Sequence, residues 1–201
     1  EAATWRFLRE KGVDPAAART VDALTHYKAE LRDRDIFRIE TALIEGGDAP
    51  LIAHKLFNAE TDELCTAMLQ QLSGITLSGD TVEWDGDKRE ERPVPVDGPN
   101  WVVSQRSVVR PEEADWTGHL ALPGHIHRFS TANAFIIAAF GLTPEYMTKE
   151  RVGLSTFEFQ LVFHNRRAVP GTLIDVDSCV AQLGGSSIRL YHRLRDGDTG
   201  E

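Results

Sequence analysis

The chain has 201 residues, enough for one large domain or two small ones with a real buried core. Hydrophobic residues at 41% and charged residues at 26% exclude collagen-like, disordered and membrane-embedded classes. The formal charge of −9 speaks against a nucleic-acid surface, which needs a local excess of Lys and Arg.

Thr4 to Lys11 reads as a helix, and Gly12 sits where it would stop, with Pro15 three residues on. From Ile36 the chain reads as a hairpin: an alternating strand, a Gly46-Gly47 turn, a second alternating strand and a polar turn. Leu64 to Leu72 is a further strand, and ITLSGDTVEW is expected to form a short hairpin around Ser-Gly-Asp. Asp85 to Asn100 mixes acids, bases and prolines without an apolar period, which predicts a linker or exposed loop.

A strand over Trp101 to Val109 and a polar loop over Arg110 to Gly124 follow. Then comes an apolar helix over Ser130 to Phe140, with Phe129, Ala132, Phe135, Ile136 and Phe140 spaced to cover most of its surface. Gly141 and Pro144 repeat the stop signal of Gly12 and Pro15. The segment from Ile174 lies over the one from Ile36 without a gap, at an offset of 138. This pairs Gly46-Gly47 with Gly184-Gly185, His54 with His192 and Thr61 with Thr199. A duplicated unit of helix plus antiparallel strands is therefore expected: residues 1–85, a linker over 86–100, and residues 101–201. The second copy has a strand and loop before its helix that the first lacks, and the first ends in a strand that the second lacks. The expectation is of a piece of a longer protein.

The longest apolar run, Ala134 to Leu142, is far short of the ~20 residues of a membrane helix, so no membrane span is expected. The start lacks the pattern of a secretory signal, Cys65 and Cys179 share no metal-ligand spacing, and no Asn-x-Ser/Thr acceptor occurs. A reducing, cytoplasmic setting fits. His119, His125 and His127 invite a metal reading, but no His-Glu-x-x-His spacing is present, and no metal or cofactor is expected. His54 and His192, equivalent and within strands, suggest a structural role.

The densest polar cluster is PEEADWTGHL, Pro111 to Leu120, between a strand and the apolar helix. Asp115, Thr117 and His119 could converge on one small volume, with Gly118 allowing close backbone approach. The plainer reading is that Asp115 or Thr117 caps the following helix.

The order strand, DWTGHL, apolar helix and then PGTLIDVDSCVAQLGGSSIRLYHRL resembles the hot-dog thioesterases, above all the tandem double-hot-dog arrangement of acyl-ACP and acyl-CoA thioesterases. The resemblance implies an α+β fold of two hot-dog units, each a curved antiparallel sheet wrapped around a central helix. It also implies hydrolysis of an acyl-CoA or acyl-ACP. The corresponding plant loop reads Asp-x-Asn-x-His; here Thr117 replaces the Asn, and a hydroxyl cannot hold a partner as a planar amide does. By this resemblance Asp115 is the general base or nucleophile, His119 orients it or the water, and Thr117 supports them. The amides of Gly118 and His119 would hold the oxyanion. Trp116, His125 and Phe129 could line the acyl pocket, and Arg166 and Arg167, in the His164-Asn165-Arg166-Arg167 cluster, could meet the carrier's phosphates. A homodimer is open. The rivals are a hot-dog 3-hydroxyacyl-thioester dehydratase or hydratase, whose Asn-Pro-x-His stretch is absent, and a non-catalytic acyl-binding module.

Overall fold

A computed structural model describes residues 1–46, 49–87, 90–115, 117–165 and 168–201. In chain order the strands are β1 (Arg19–Tyr27), β2 (Phe37–Ile44), β3 (Leu51–Asn58), β4 (Leu64–Ser73), β5 (Val102–Val108), β6 (Glu158–Val162), β7 (Leu173–Leu183) and β8 (Ile188–Asp196). The helices are α1 (Ala2–Glu10), α2 (Leu122–Ala139) and α3 (Pro144–Glu150), with short 3-10 turns at Pro15–Ala17 and Pro111–Glu113. The architecture is antiparallel sheet with few helices, and the chain divides into two units.

The first unit comprises Glu1–Glu90 and Ser155–Asn165. Its sheet runs β2-β3-β4-β1-β6, so a strand from far along the chain completes it. Helix α1 lays Leu8, fully buried, against Ile52 and Leu72, with Phe7, Val13 and Ile75 around them. Each such side chain removed from water contributes about 1.5 to 3 kcal/mol. The region expected as a hairpin is not one: Val82 instead forms a single parallel bridge to Ile44, and its carbonyl accepts from Glu45 N at 3.0 Å. The β2 edge offers that segment ready backbone partners.

The second unit comprises Glu91–Leu154 and Arg166–Glu201, with sheet order β5-β7-β8. Of the apolar residues expected to bury α2, Phe129, Ala132 and Ile136 do so, on one face, whereas Phe135 and Phe140 are more than half exposed. Both α1 and α2 stop as expected, on Gly12 and Gly141, whose positive φ of 73° and 86° a side chain would resist.

The internal match recurs in individual hydrogen bonds. Asn58 Oδ1 accepts from Glu60 N at 2.9 Å and Thr61 N at 3.2 Å; Asp196 Oδ1 accepts from Asp198 N and Thr199 N, both at 2.9 Å. Asn58 N reaches Glu63 O, and Asp196 N reaches Glu201 O. The gap-free overlay fails at one point. In the first copy His54 pairs with Thr41, but in the second His192 pairs with Ser178, not with Cys179 as an offset of 138 requires. The register shifts between Val180 and Gln182, so Ala181 is an extra, bulged residue and the equivalence before it drops to 137.

Both equivalent histidines belong to polar networks whose directions can be worked out. Thr4 Oγ1 donates its proton to Gln70 Oε1 at 2.8 Å, so His54 Nε2, at 3.1 Å from Thr4 Oγ1 and 3.3 Å from Gln70 Oε1, faces two acceptors and carries the proton. His54 Nδ1 then accepts from Thr41 Oγ1 at 2.9 Å. In the second copy Ser104 Oγ donates to Val176 O at 2.9 Å, Ser178 Oγ donates to Ser104 Oγ at 2.6 Å, and His192 Nδ1 must donate to Ser178 Oγ at 2.6 Å. The two imidazoles are held as opposite tautomers.

Burial holds both histidines neutral, lowering each pKa from 6.5 to about 4. The unfolded chain therefore binds more protons between pH 6.5 and about 4, and stability falls as pH drops through that window, by about 3 kcal/mol per histidine once complete. Urea midpoints should decline from about pH 6.5 downwards, and the steepness should fall by roughly half in His54→Gln or in His192→Gln. An unchanged slope in both variants would mean that other groups set it.

Candidate active site

The loop between β5 and α2 is built on a buried cation. Arg128, on the inner face of α2 and 3% exposed, directs all five N–H groups to acceptors. Nε reaches Ser107 Oγ at 3.2 Å; Nη1 reaches Glu113 Oε1 at 2.9 Å and Gly124 O at 3.0 Å; Nη2 reaches Glu113 Oε2 at 3.0 Å and Val108 O at 3.1 Å. One side chain thus ties the end of β5, the 3-10 turn and the first turn of α2. Glu113 Oε2 also accepts from Arg110 N at 2.8 Å. The guanidinium, aided by that amide, holds the Glu113 carboxyl down at about 2. Gly124 is required by the packing, since a Cβ there would lie 2.5 Å from Leu120 Cδ1, and Leu120 is buried.

From this base the loop closes on itself. Ala114 and Leu120 form an antiparallel bridge, Ala121 N donates to Glu113 O at 2.9 Å, and Asp115 N donates to His119 O at 2.7 Å. Within the turn, Asp115 Oδ1 accepts from Thr117 N at 2.8 Å, Thr117 Oγ1 at 2.5 Å and His119 N at 3.3 Å. Thr117 Oγ1 lies 3.0 Å from His119 Nδ1. An ionised carboxylate has no proton to give, so the hydroxyl donates to Asp115 and accepts from His119 Nδ1–H. That fixes the tautomer and leaves the lone pair on His119 Nε2, the form suited to taking a proton.

The structure therefore brings Asp115, Thr117 and His119 together, as their spacing suggested. Other expectations change. Neither Asp115 nor Thr117 caps α2, whose N-cap is Ala121 without a side-chain cap bond. The loop has closed on itself before the helix begins at Leu122, so Asp115 is not a helix N-terminal residue. The amides of Gly118 and His119, expected as oxyanion donors, are spent inside the turn: Gly118 N on Asp115 O at 2.9 Å and His119 N on Asp115 Oδ1. His125 is buried, and its Nδ1 donates to Ala121 O at 3.0 Å, a helix-internal bond. Phe129 is buried and stacks on His192, with centroids 5.7 Å apart, as a core residue would. His127 and His164 are exposed. Trp116, Arg166 and Arg167 lie outside the described residues. Among the described residues no cluster of His, Cys, Asp or Glu is arranged to hold a metal ion, and no helix is long and apolar enough to cross a membrane. Glu113 and Arg128 were not singled out from sequence; the only signal was an Arg on the apolar side of a helix, four residues after a Gly.

The fold is hot-dog-like, antiparallel sheet with few helices, and it is shared with the solved structures to which the chain is similar. Among solved structures the chain is similar to a Lactobacillus plantarum protein assigned as an oleoyl thioesterase, with a TM-score of 0.71 and 8% identity over 98% of this chain and 80% of that one. It is also similar to the 12:0-ACP thioesterase of Umbellularia californica, with a TM-score of 0.60 and 11% identity over 94% and 70% of the two chains. A MaoC-like dehydratase from Phytophthora capsici aligns with a TM-score of 0.52 and 14% identity over 93% and 69%. No protein-family model and no curated protein matches the sequence.

Replacing Arg128 by Met removes the buried member of the ion pair and leaves the part-buried Glu113 carboxylate without its guanidinium. We expect a loss of about 2 to 4 kcal/mol in unfolding free energy, read from urea denaturation at neutral pH. A loss below about 1 kcal/mol would show that the Glu113 carboxylate reaches water on its own.

Proposed function

We propose that the protein is a thioester hydrolase that cleaves an acyl-CoA or acyl-ACP to a free acid and a thiol, on a tandem double-hot-dog scaffold. The observation that carries this reading is the Asp115–Thr117–His119 relay on a fold shared with acyl-ACP thioesterases. His119 Nε2 takes a proton from water as the water oxygen adds to the thioester carbonyl carbon. The tetrahedral intermediate then expels the thiolate, the C–S bond breaks, and the proton on His119 passes to sulfur. Water supplies one O–H to the acid and one hydrogen to the thiol, so the atoms balance. Asp115 stabilises the imidazolium through Thr117. Attack through Asp115 Oδ1 is disfavoured, because that oxygen is committed to three donors. The bridging hydroxyl gives a physical reason for Thr where the plant loop has Asn: it relays between carboxylate and imidazole in two short steps.

The likeness to a MaoC-like dehydratase favours a second reading, in which the same base removes a proton from a 3-hydroxyacyl or enoyl thioester adduct. Incubation with a panel of acyl-CoAs and a thiol-reactive dye separates the two: released thiol marks hydrolysis, and an ultraviolet change on an enoyl thioester without thiol marks the lyase. For a hydrolase, His119→Ala should lower kcat by about 10² to 10⁴. Thr117→Val, which keeps the shape and deletes the relay, should fall between wild type and His119→Ala. Full activity in Thr117→Val would remove the relay from the mechanism.

A further inference from the structure

The relay depends on two hydrogen bonds of 2.5 and 3.0 Å inside a seven-residue loop, residues 114–120, whose ends meet in the Ala114–Leu120 bridge. At its far end the loop is seated by Leu120, whose buried side chain packs on Gly124 of α2 and whose N–H reaches Ala168 O at 2.8 Å. At its near end it is set by Glu113, whose carboxylate is gripped at both oxygens by Arg128 and whose carbonyl accepts the Ala121 amide. Glu113 and Ala121 thus flank the loop, one before Ala114 and one after Leu120, and are bonded to each other. The other three donors of Arg128 hold Ser107, Val108 and Gly124, which belong to the strand end and the helix turn. The Glu113 side chain is held by Arg128 while its carbonyl meets the Ala121 amide at the root of the Ala114–Leu120 bridge, so the ion pair anchors the end of the loop next to the bonds that join Asp115 and His119.

We propose that Glu113 and Arg128 are positioning residues for the reaction: their bidentate pair holds the base of the loop so that His119 Nδ1–H points at the Thr117 hydroxyl and His119 Nε2 is left as the base. This rests on the hydrolase reading for its kinetic consequence but not for its structural one. Neither side chain touches substrate. Glu113 contributes geometry, and Arg128 contributes it by being unable to move without abandoning acceptors on three elements. A rigid guanidinium fork suits the task, because a lysine ammonium in its place could not meet both oxygens in one plane.

The test uses the full chain and two substitutions, Glu113→Gln and Glu113→Asp. The Gln keeps the size and loses the charge; the Asp keeps the charge and draws the carboxylate back by one methylene, and it is read the same way if the Gln variant does not fold. In ¹⁵N-labelled protein the imidazole nitrogen shifts report the tautomer of His119, assigned by their loss in His119→Gln. Wild type should show the Nδ1–H form, and the variants should lose at least about half of it while keeping native backbone amide dispersion. Thiol release should fall in kcat by up to about 10²-fold with KM within about two-fold, as for a misplaced catalytic group. A folded variant with the wild-type tautomer overturns the proposal whether or not kcat falls, since a kcat loss alone would then come from general loosening. If wild-type protein releases no thiol from any acyl-CoA, the hydrolase reading fails, and the tautomer measurement still decides the positioning role.

Discussion

A guanidinium taken out of water carries a charge and five donors with it, and α2 can pack its Arg128 inward only because all five are met. Such a pair adds little net stability, because desolvating both charges offsets most of their attraction. What it does supply is uniqueness. Acceptors on the end of β5, on the 3-10 turn and on the first turn of α2 must converge on one plane, and few arrangements of those elements satisfy that. The loop that bears Asp115, Thr117 and His119 inherits its position from this convergence, and its internal bonds then set the tautomer. Packing at Gly124 belongs to the same constraint, since the small residue lets Leu120 lie over the helix start while its carbonyl accepts from Arg128.

Much of the fold was legible because duplication repeats its signals. The Gly-Pro stops after both helices and the polar turns at Asn58 and Asp196 reappear in the structure with equivalent hydrogen bonds, and both strand pairs form, with Gly47 of the first expected turn outside the described residues. The bulge at Ala181 was not legible, because a one-residue insertion within alternating sequence leaves both flanking matches intact, and only the strand register exposes it. Nor was β6 recognisable as the partner of β1. TVDALTHY and EFQLVFHN stand at the offset of 138 yet share one residue, His26 with His164. In the sheet Ala23 pairs with Leu161, its own equivalent at that offset, so the β1–β6 pair has a local two-fold through those two residues. A pairing of two strands so distant in sequence is a tertiary fact, and alternation within either strand does not encode it.

At the site, the Asp-x-Thr-x-His spacing was readable because a tight turn forces alternate side chains together. The expected oxyanion donors were misread for the same reason: in a turn tight enough to join Asp115 and His119, the intervening amides fold back on the aspartate. Glu113 and Arg128 escaped notice because isolated charges in a polar loop and on a helix ordinarily face solvent. Their separation of 15 residues matches no local helix or turn pairing.

The two matching segments also differ in the polar groups buried at equivalent positions. His54 and His192 occupy equivalent strand positions and are equally neutral, but their neighbours assign the proton to opposite nitrogens. In the first copy Nε2–H ties β3 to Thr4 of α1 and to Gln70 of β4. In the second, Nδ1–H starts a chain through Ser178 and Ser104 that ends on the Val176 carbonyl, within the sheet, while the ring packs on Phe129 of α2. The first histidine thus bonds its helix to its sheet, and the second meets its helix through ring contact. Exchanging the neighbours of one copy for those of the other would move the proton to the opposite nitrogen, because a neutral imidazole takes the tautomer that its partners can satisfy. The two segments differ where polar groups are buried, and α2 is held to its sheet by Arg128, which also grips the base of the loop of Asp115 and His119.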